Sequence, residues 1–227
     1  MDQYVCIVIF VRSPDKGRVK TRLTSVLDED TVVELYRCFV LDLLRILSHG
    51  NFGLRICFYP AEAGSKLADW LGEEYVCIAQ QGKDLGERME NAFHAAFAEG
   101  FRKVLIIGSD SPDLPGELFE EAINALASKD AVIGPAIDGG YYLIGFNSDR
   151  FLTEVFFRSI DWGTSTVFQQ TMGVLSRHGY DVHVLPQWRD IDTYDDLIAF
   201  RRNHELTPAG QLLTLDYLRS AGGMRNE

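Results

Sequence analysis

Two acidic segments carry the side chains best suited to chemistry in this sequence. Asp110 and Asp113 follow the apolar, β-branched run Val104–Ile107, and Asp190 and Asp192 lie in a later RDIDT segment. Mg²⁺ prefers carboxylate oxygens, and one or two carboxylates can hold it while phosphate oxygens and waters complete its octahedron. The segments therefore predict a Mg²⁺ (or Mn²⁺) site with Asp110 and Asp192 as ligands and with Asp190 or Asp113 as substitutes. Helix capping is the competing interpretation, because Asp and Ser are common N-cap residues.

A cluster of basic residues follows the first apolar run. The segment RSPDKGRVKTRL has five cations among its twelve residues, namely Arg12, Lys16, Arg18, Lys20 and Arg22. Arg binds phosphate through two parallel N–H donors and Lys binds it as a point charge. The loop is therefore predicted to grip a diphosphate or triphosphate, chiefly through Arg12, Lys20 and Arg22. Plain surface solvation is the alternative, and the segment contains neither a Walker A motif nor a GxGxxG loop.

A third polar segment is Asp138-Gly139-Gly140, which precedes Tyr141 and Tyr142. A tight turn is its first interpretation, since glycine adopts positive φ at little cost. Because the turn follows a buried strand, Asp138 is also predicted to face a second, acceptor substrate. The five histidines show no HxH or HxxxH spacing, and no GxSxG element occurs. Zinc sites and serine hydrolases are thus disfavoured.

Hydrophobic patterning indicates how these segments are positioned. Apolar β-branched runs alternate with stretches of helical period, which predicts an α/β fold with a mostly parallel sheet and helices on both faces. The predicted strands are 4–11, 54–59, 75–79, 104–107, 131–135, 141–146 and 181–185, and the predicted helices are 30–47, 66–71, 87–99, 117–127, 164–178, 193–202 with Thr193 as N-cap, and 207–220. Ligands collect at the carboxyl ends of parallel strands. The basic loop, the 80–86 loop and the turn around Asp110 are therefore predicted to converge on one cleft.

Composition narrows the function classes. The 227 residues are 46% apolar and 24% charged, with a net charge of −11. The apolar and charged fractions are ordinary for a globular protein. The negative net charge argues against broad binding to nucleic acid or to a membrane surface. The four cysteines form no CxxC pair, as expected for reduced core thiols. No apolar run reaches 18 residues and no basic leader is present, which predicts a cytoplasmic location.

The order of five motifs resembles a bacterial family of glycosyltransferase-A-like transferases, known as a domain of unknown function, in the nucleotide-diphospho-sugar transferase superfamily. The motifs are FVRSPxxGRVKTRL, QGxDLGERM, IGSDSPxL, GPAxDGGYYLIG and DIDTxDDL, and they lie between residues 4 and 202. The chain is more distantly similar to molybdopterin-guanine dinucleotide synthases, sugar-acid cytidylyltransferases and phospholactate guanylyltransferase. The resemblance implies one such domain over residues 1–203, followed by a helical extension and frayed tail over 204–227.

In this fold the first loop holds the nucleotide phosphates, the loop after the third strand meets the base, and two aspartates bind Mg²⁺. The corresponding residues are Arg12, Lys20 and Arg22 for the phosphates, Gly82, Asp84 and Arg88 for the base, and Asp110 and Asp192 for the metal. The LAGGxxxRM loop of many nucleotidyltransferases is missing. The resemblance therefore implies that side chains, more than backbone amides, bind the phosphates.

Three functions fit these observations. The leading hypothesis is nucleotidyl transfer from a nucleoside triphosphate to a small phosphorylated acceptor, in which Lys20 and Arg22 with Mg²⁺ stabilise developing charge as pyrophosphate leaves. Glycosyl transfer from a nucleotide sugar is the alternative, with Asp138 as a base. The turn at Asp110 is DxxD, whereas glycosyltransferases of this fold usually show DxD. A nucleotide-binding protein without catalysis is the third hypothesis.

Overall fold

Seven strands form one sheet in the computed structural model, which describes residues 4–151, 157, 160–208 and 210–220. The strands are β1 Val5–Arg12, β2 Gly53–Tyr59, β3 Cys77–Ala79, β4 Lys103–Ile107, β5 Ala131–Pro135, β6 Tyr141–Asn147 and β7 Val182–Val184. Their order is β3-β2-β1-β4-β6-β5-β7, and of these strands only β6 runs antiparallel to its neighbours. The predicted α/β fold with a mostly parallel sheet is confirmed.

Helices cover both faces of this sheet, and each face has its own apolar core. The α-helices of the described residues are α1 Glu29–Ser48, α2 Gly64–Leu71, α3 Leu85–Ala98, α4 Gly116–Ala125, α5 Val167–Arg177, α6 Tyr194–Asn203 and α7 Leu213–Ser220. Helices α3 and α5 pack on one face and the other five on the opposite face. None of the described helices combines the length and the apolarity needed to cross a bilayer.

Strand β1 lies in the interior of the sheet, between β2 and β4, and this position explains the uninterrupted apolar run near the N-terminus. Ile7 and Ile9 enter the core under α1, whereas Cys6 and Val8 enter the core under α3. Successive side chains of a strand point to opposite faces, so a strand with two covered faces needs apolar residues at every position.

The last helix begins later than its sequence pattern predicts. Helix α7 begins at Leu213, whereas the pattern at Thr207-Pro208 predicts a start near 207. The carboxylate of Asp42, buried within α1, accepts hydrogen bonds from the backbone N–H groups of Leu213 (2.7 Å) and Thr214 (2.9 Å). This cap comes from a residue far away in the sequence. Residues 221–227, predicted to fray, lie outside the described residues.

Replacing Asp42 by alanine is expected to lower the free energy of unfolding by about 1–3 kcal/mol, because one buried and one partly buried backbone donor lose their acceptor. Urea unfolding would measure the loss. Glu34→Ala is the matched control, because Glu34 lies on the same helix but forms an exposed i,i+3 pair with Arg37, and such pairs contribute little. Equal stability losses in the two variants would contradict the capping role.

Candidate functional site

A cleft of about 740 Å³ lies at the sheet edge where β1 and β4 end. Because β6 runs antiparallel to β4, with Leu143 opposite Ile107, the turn that precedes β6 opens at this same edge. The basic loop, the end of the 80–86 region, the turn around Asp110, the Asp138 turn and the Asp190–Asp192 segment all line the cleft. The predicted convergence of polar segments therefore occurs, and the β5–β6 turn joins it.

Lys20 lies at the floor of the cleft between two carboxylates. Its Nζ atom is 2.7 Å from Oδ1 of Asp110 and 2.6 Å from Oδ1 of Asp192, and its side chain is only 4% exposed. Burial disfavours the charged ammonium, but the two carboxylates outweigh it and raise the pKa of Lys20, so the lysine stays protonated. The backbone of Lys20 is left-handed, with φ of 44°, which is uncommon for a residue other than glycine.

Asp192 also belongs to a group of three carboxylates. Ligand oxygens of Asp138, Asp190 and Asp192 all lie within 4.8 Å of one another. Burial, followed by repulsion from Asp138, Asp192 and Asp110, raises the pKa of Asp190 to about 6. Two oxygens on opposite sides of a Mg²⁺ ion are about 4.2 Å apart. The spacing of the three carboxylates is thus close to the spacing that would let them bind one divalent cation. Their hard oxygen donors suit Mg²⁺ or Mn²⁺.

The raised pKa of Asp190 predicts a pH-dependent effect of Asp190→Asn. Between the unfolded-state pKa of about 3.9 and about 6, the folded carboxyl keeps a proton that the unfolded chain has lost. This group therefore lowers stability progressively as pH rises through that window. We expect the variant to equal the native protein at pH 4 and to be more stable by about 1–2 kcal/mol at pH 7, after allowing for solvent screening.

Urea unfolding across that pH range, with chelator present, measures the difference. Asp195→Asn is the control, since it makes the same chemical change at an exposed position at the start of α6. A stability difference for Asp190→Asn that does not change with pH would contradict the raised pKa.

Backbone and side-chain hydrogen bonds join the two acidic segments. The N–H of Ile191 donates to the carbonyl oxygen of Asp110 at 2.9 Å, and the indole N–H of Trp188 donates to Oδ1 of Asp113 at 3.0 Å. Asp113 is turned into the protein, where burial raises its pKa, and it does not line the cleft. Its contacts with Trp188 help to hold the segment that carries Asp192.

Helix capping involves the residues next to the predicted metal ligands. Thr193 is the N-cap of α6, as predicted, and forms a capping box with Asp196. Asp190 and Asp192 line the cleft instead. The capping interpretation therefore accounts for part of the RDIDT segment only.

Of the residues predicted to contact the nucleotide base, one lines the cleft and two do not. Arg88 lines the cleft, and its guanidinium carbon lies 3.9 Å from the centroid of the Tyr59 ring. Asp84 is the N-cap of α3, where its Oδ1 accepts from the N–H of Glu87 at 2.9 Å. Gly82 has a φ of 140°, and a Cβ there would lie 2.7 Å from the backbone nitrogen of Arg88. Neither Gly82 nor Asp84 is among the described residues that line the cleft.

Three arginines accompany Lys20 on one side of the cleft. Arg12 and Arg22 line it as predicted, and so does Arg18. Arg22 is 74% exposed, with Nη1 4.0 Å from Oδ2 of Asp192, and is thus accessible to a ligand. Lys16 pairs with the exposed Asp30 instead and does not line the cleft.

Tyr36 is a residue of the cleft that sequence reasoning missed. Its hydroxyl oxygen accepts from the backbone N–H of Arg12 at 2.8 Å and lies 3.0 Å from Oγ of Ser109. It therefore connects the first loop to the turn that carries Asp110. In the sequence Tyr36 is one member of the apolar helical pattern, and only the direction of its hydroxyl distinguishes it.

Aromatic and hydroxyl side chains form the other half of the cleft. Tyr141 and Tyr142 belong to opposite faces of the sheet, and both reach the cleft lining. Tyr141 meets Trp162 edge to face, with ring centroids 6.4 Å apart. Oδ1 of Asp138 accepts from the N–H of Gly140 at 2.8 Å, which fixes the turn. This half can contact a second molecule beside the acidic group.

Solved structures of known proteins share this architecture. A protein of Desulfovibrio desulfuricans G20, provisionally described as a nucleotide-diphospho-sugar transferase, is 43% identical with a TM-score of 0.92, over 96% of this chain and 94% of that chain. A cytidylyltransferase of Leptospira borgpetersenii serovar Hardjo-bovis is 12% identical, with a TM-score of 0.60 over 99% and 98% of the two chains. CMP:2-keto-3-deoxy-manno-octonic acid synthetase, complexed with CTP, is 8% identical, with a TM-score of 0.59 over 91% and 100%. The last two similarities show the fold alone.

Sequence comparison assigns the family. No curated protein gives a match. The sequence profile of a family described as "Uncharacterized protein conserved in bacteria" matches residues 43–164, which is more than half of the chain. The chain belongs to this bacterial family, DUF2064, and has the fold of the nucleotide-diphospho-sugar transferases.

Proposed function

We propose that the protein is a divalent-metal-dependent nucleotidyltransferase that joins a nucleoside triphosphate to a small phosphorylated acceptor and releases pyrophosphate. The observation that carries this proposal is the charge distribution in one cleft. Three arginines line one side, here called the phosphate side, while Lys20 lies between Asp110 and Asp192 at the floor and Asp192 is also grouped with Asp138 and Asp190. A metal-bound triphosphate matches both parts, since its phosphate oxygens suit arginine and its metal suits carboxylates.

The basic loop and Arg88 would bind the nucleotide. Arg12, Arg18 and Arg22 reach the cleft from one loop, and their planar guanidinium groups suit phosphate oxygens. The Arg88–Tyr59 stack offers a flat surface at the same end of the cleft, against which a base can lie. In this proposal Gly82 and Asp84 act indirectly, because they shape the loop and the helix start that carry Arg88.

Asp110 and Asp192 are the proposed metal ligands, with Asp138 and Asp190 beside them. A bound divalent ion would neutralise the charge that develops as pyrophosphate leaves. Lys20 and Arg22 add positive charge at the same place. Because a phosphate acceptor is already a nucleophile, positioning and electrostatic stabilisation supply most of the catalysis, and no dedicated base is required.

Glycosyl transfer from a nucleotide sugar is the second candidate, and the acidic group favours it in one respect. An acceptor that attacks through a hydroxyl group needs a base, and Asp190, with its pKa raised to about 6, would be ionised at neutral pH. Asp138 lies within the same group, in the turn before Tyr141, whose ring contacts Trp162. The two candidates differ in their donor, which is a nucleoside triphosphate in the first and a nucleotide sugar in the second.

The test is a thermal-shift screen of nucleoside triphosphates and nucleotide sugars, with and without Mg²⁺, since a ligand of the native state raises the midpoint of unfolding. We expect Mg²⁺-dependent stabilisation by a triphosphate and none by sugar nucleotides. Stabilisation by sugar nucleotides alone would overturn the nucleotidyltransferase proposal in favour of glycosyl transfer. A positive triphosphate would then be incubated with phosphorylated acceptors while pyrophosphate release is measured.

A further inference from the structure

Lys20 competes for the carboxylate oxygens that the proposed metal would need. Its ammonium lies 2.7 Å from Oδ1 of Asp110 and 2.6 Å from Oδ1 of Asp192. A divalent ion bonded to either of these oxygens would lie close to the ammonium, and the two positive charges would repel each other. The lysine is buried and its backbone is left-handed, a conformation that persists only where surrounding contacts impose it.

We propose that Lys20 is an internal counter-ion that takes the place of the divalent metal in the ligand-free protein and leaves Asp110 and Asp192 when a metal-bound nucleotide enters. This inference rests on the proposed function. Incoming phosphate oxygens offer the ammonium new partners at the moment when the metal takes over its carboxylates. Metal and nucleotide would then bind cooperatively, and metal alone would bind weakly.

The surroundings of Lys20 define the direction in which it can move. The fully buried ring of Phe39 lies behind the ammonium, with its centroid 5.9 Å from Nζ. Lys20 itself lines the cleft, next to Arg22 and Thr21. The side chain therefore cannot withdraw into the core, and the open side leads to the place where the arginines would hold the phosphates.

The test measures Mn²⁺ binding by calorimetry in the absence of nucleotide, for the native protein, Lys20→Gln and Lys16→Gln. Both variants remove one lysine charge from the same loop, but Lys16 is exposed and pairs with Asp30. We expect Lys20→Gln to bind Mn²⁺ at least about tenfold more tightly than the native protein, because a competing cation is lost. Lys16→Gln should bind Mn²⁺ like the native protein.

Thermal unfolding provides a second readout. Without metal, Lys20→Gln should unfold at a lower temperature than the native protein, since two close carboxylates lose their cation. Mn²⁺ should raise its midpoint more than that of the native protein, and a variant that folds only with Mn²⁺ would also support the inference. Equal or weaker Mn²⁺ binding by a folded Lys20→Gln, or an unfolded variant that Mn²⁺ does not rescue, would overturn it.

The two proposals fail in different ways. If no triphosphate stabilises the native protein but Lys20→Gln still binds Mn²⁺ more tightly, the nucleotidyltransferase proposal fails and the counter-ion role stands. If a triphosphate binds and Lys20→Gln shows no gain in Mn²⁺ affinity, the counter-ion role fails alone.

Discussion

Asp192→Asn is expected to lower kcat/KM for the proposed nucleotidyl transfer by about 100- to 1000-fold, the range seen when one group that stabilises transition-state charge is removed. Asp192 belongs both to the ion pair with Lys20 and to the group of three carboxylates at the cleft floor. It pairs with Lys20 at 2.6 Å and belongs to the group formed with Asp138 and Asp190. Its loss would therefore weaken metal binding and leave Lys20 paired with Asp110.

Two measurements check this prediction, namely steady-state kinetics with the triphosphate that the thermal screen identifies and Mn²⁺ calorimetry. Asp195→Asn is the matched control, because it makes the same chemical change three positions away at an exposed site. Activity within about threefold of native in the control would show that the loss is specific to Asp192. Native kinetics and native Mn²⁺ binding in Asp192→Asn would contradict the metal assignment.

Gly139→Ala is expected to lower the free energy of unfolding by about 2–5 kcal/mol, because backbone strain and a steric overlap act together. Gly139 has a φ of 92°, and a Cβ at this position would overlap with the carbonyl group of Ser165. The carbonyl oxygen of Gly139 also accepts from the N–H of Phe168, at the start of α5, at 2.8 Å. A shift here would displace Asp138 and the beginning of α5.

Gly163→Ala is the matched control, because it introduces backbone strain without a steric overlap. Gly163 has a similar φ of 84°, but a Cβ there would meet nothing within 4 Å. Its replacement should therefore cost only the conformational strain, about 1 kcal/mol. Urea unfolding of both variants measures the difference, and equal losses would refute the close approach of the Gly139 turn to Ser165.

The fold was predictable because local patterns agreed with the final architecture. The uninterrupted apolar run in β1 requires two covered faces, and the structure places a core on each side of it. The start of α7 was not predictable, because its cap is Asp42, which is 171 residues away from Leu213. Local sequence does not record such a distant partner.

The candidate site was likewise predictable only in part. The convergence of the basic loop with Asp110 follows from parallel strand order, which the alternation of strands and helices predicts. The grouping of Asp138 with Asp190 depends on β5 and β7 being parallel neighbours in the sheet, and the sequences of two short strands do not encode that pairing. The position of Lys20 between two carboxylates depends on the conformation of its side chain and on its left-handed backbone. Neither could be predicted from the sequence.

The antiparallel strand β6 has a consequence for how this protein could diversify. The hairpin of β5 and β6 places the Asp138 turn at the cleft, and Tyr141, directly after this turn, contacts Trp162 of the loop that comes later in the chain. The arginines proposed to bind the phosphates come from residues 12 to 22, and Arg88, proposed to bind the base, also lies well before that stretch. Under the proposed function, related chains could exchange one acceptor for another within a single continuous segment and leave nucleotide binding untouched.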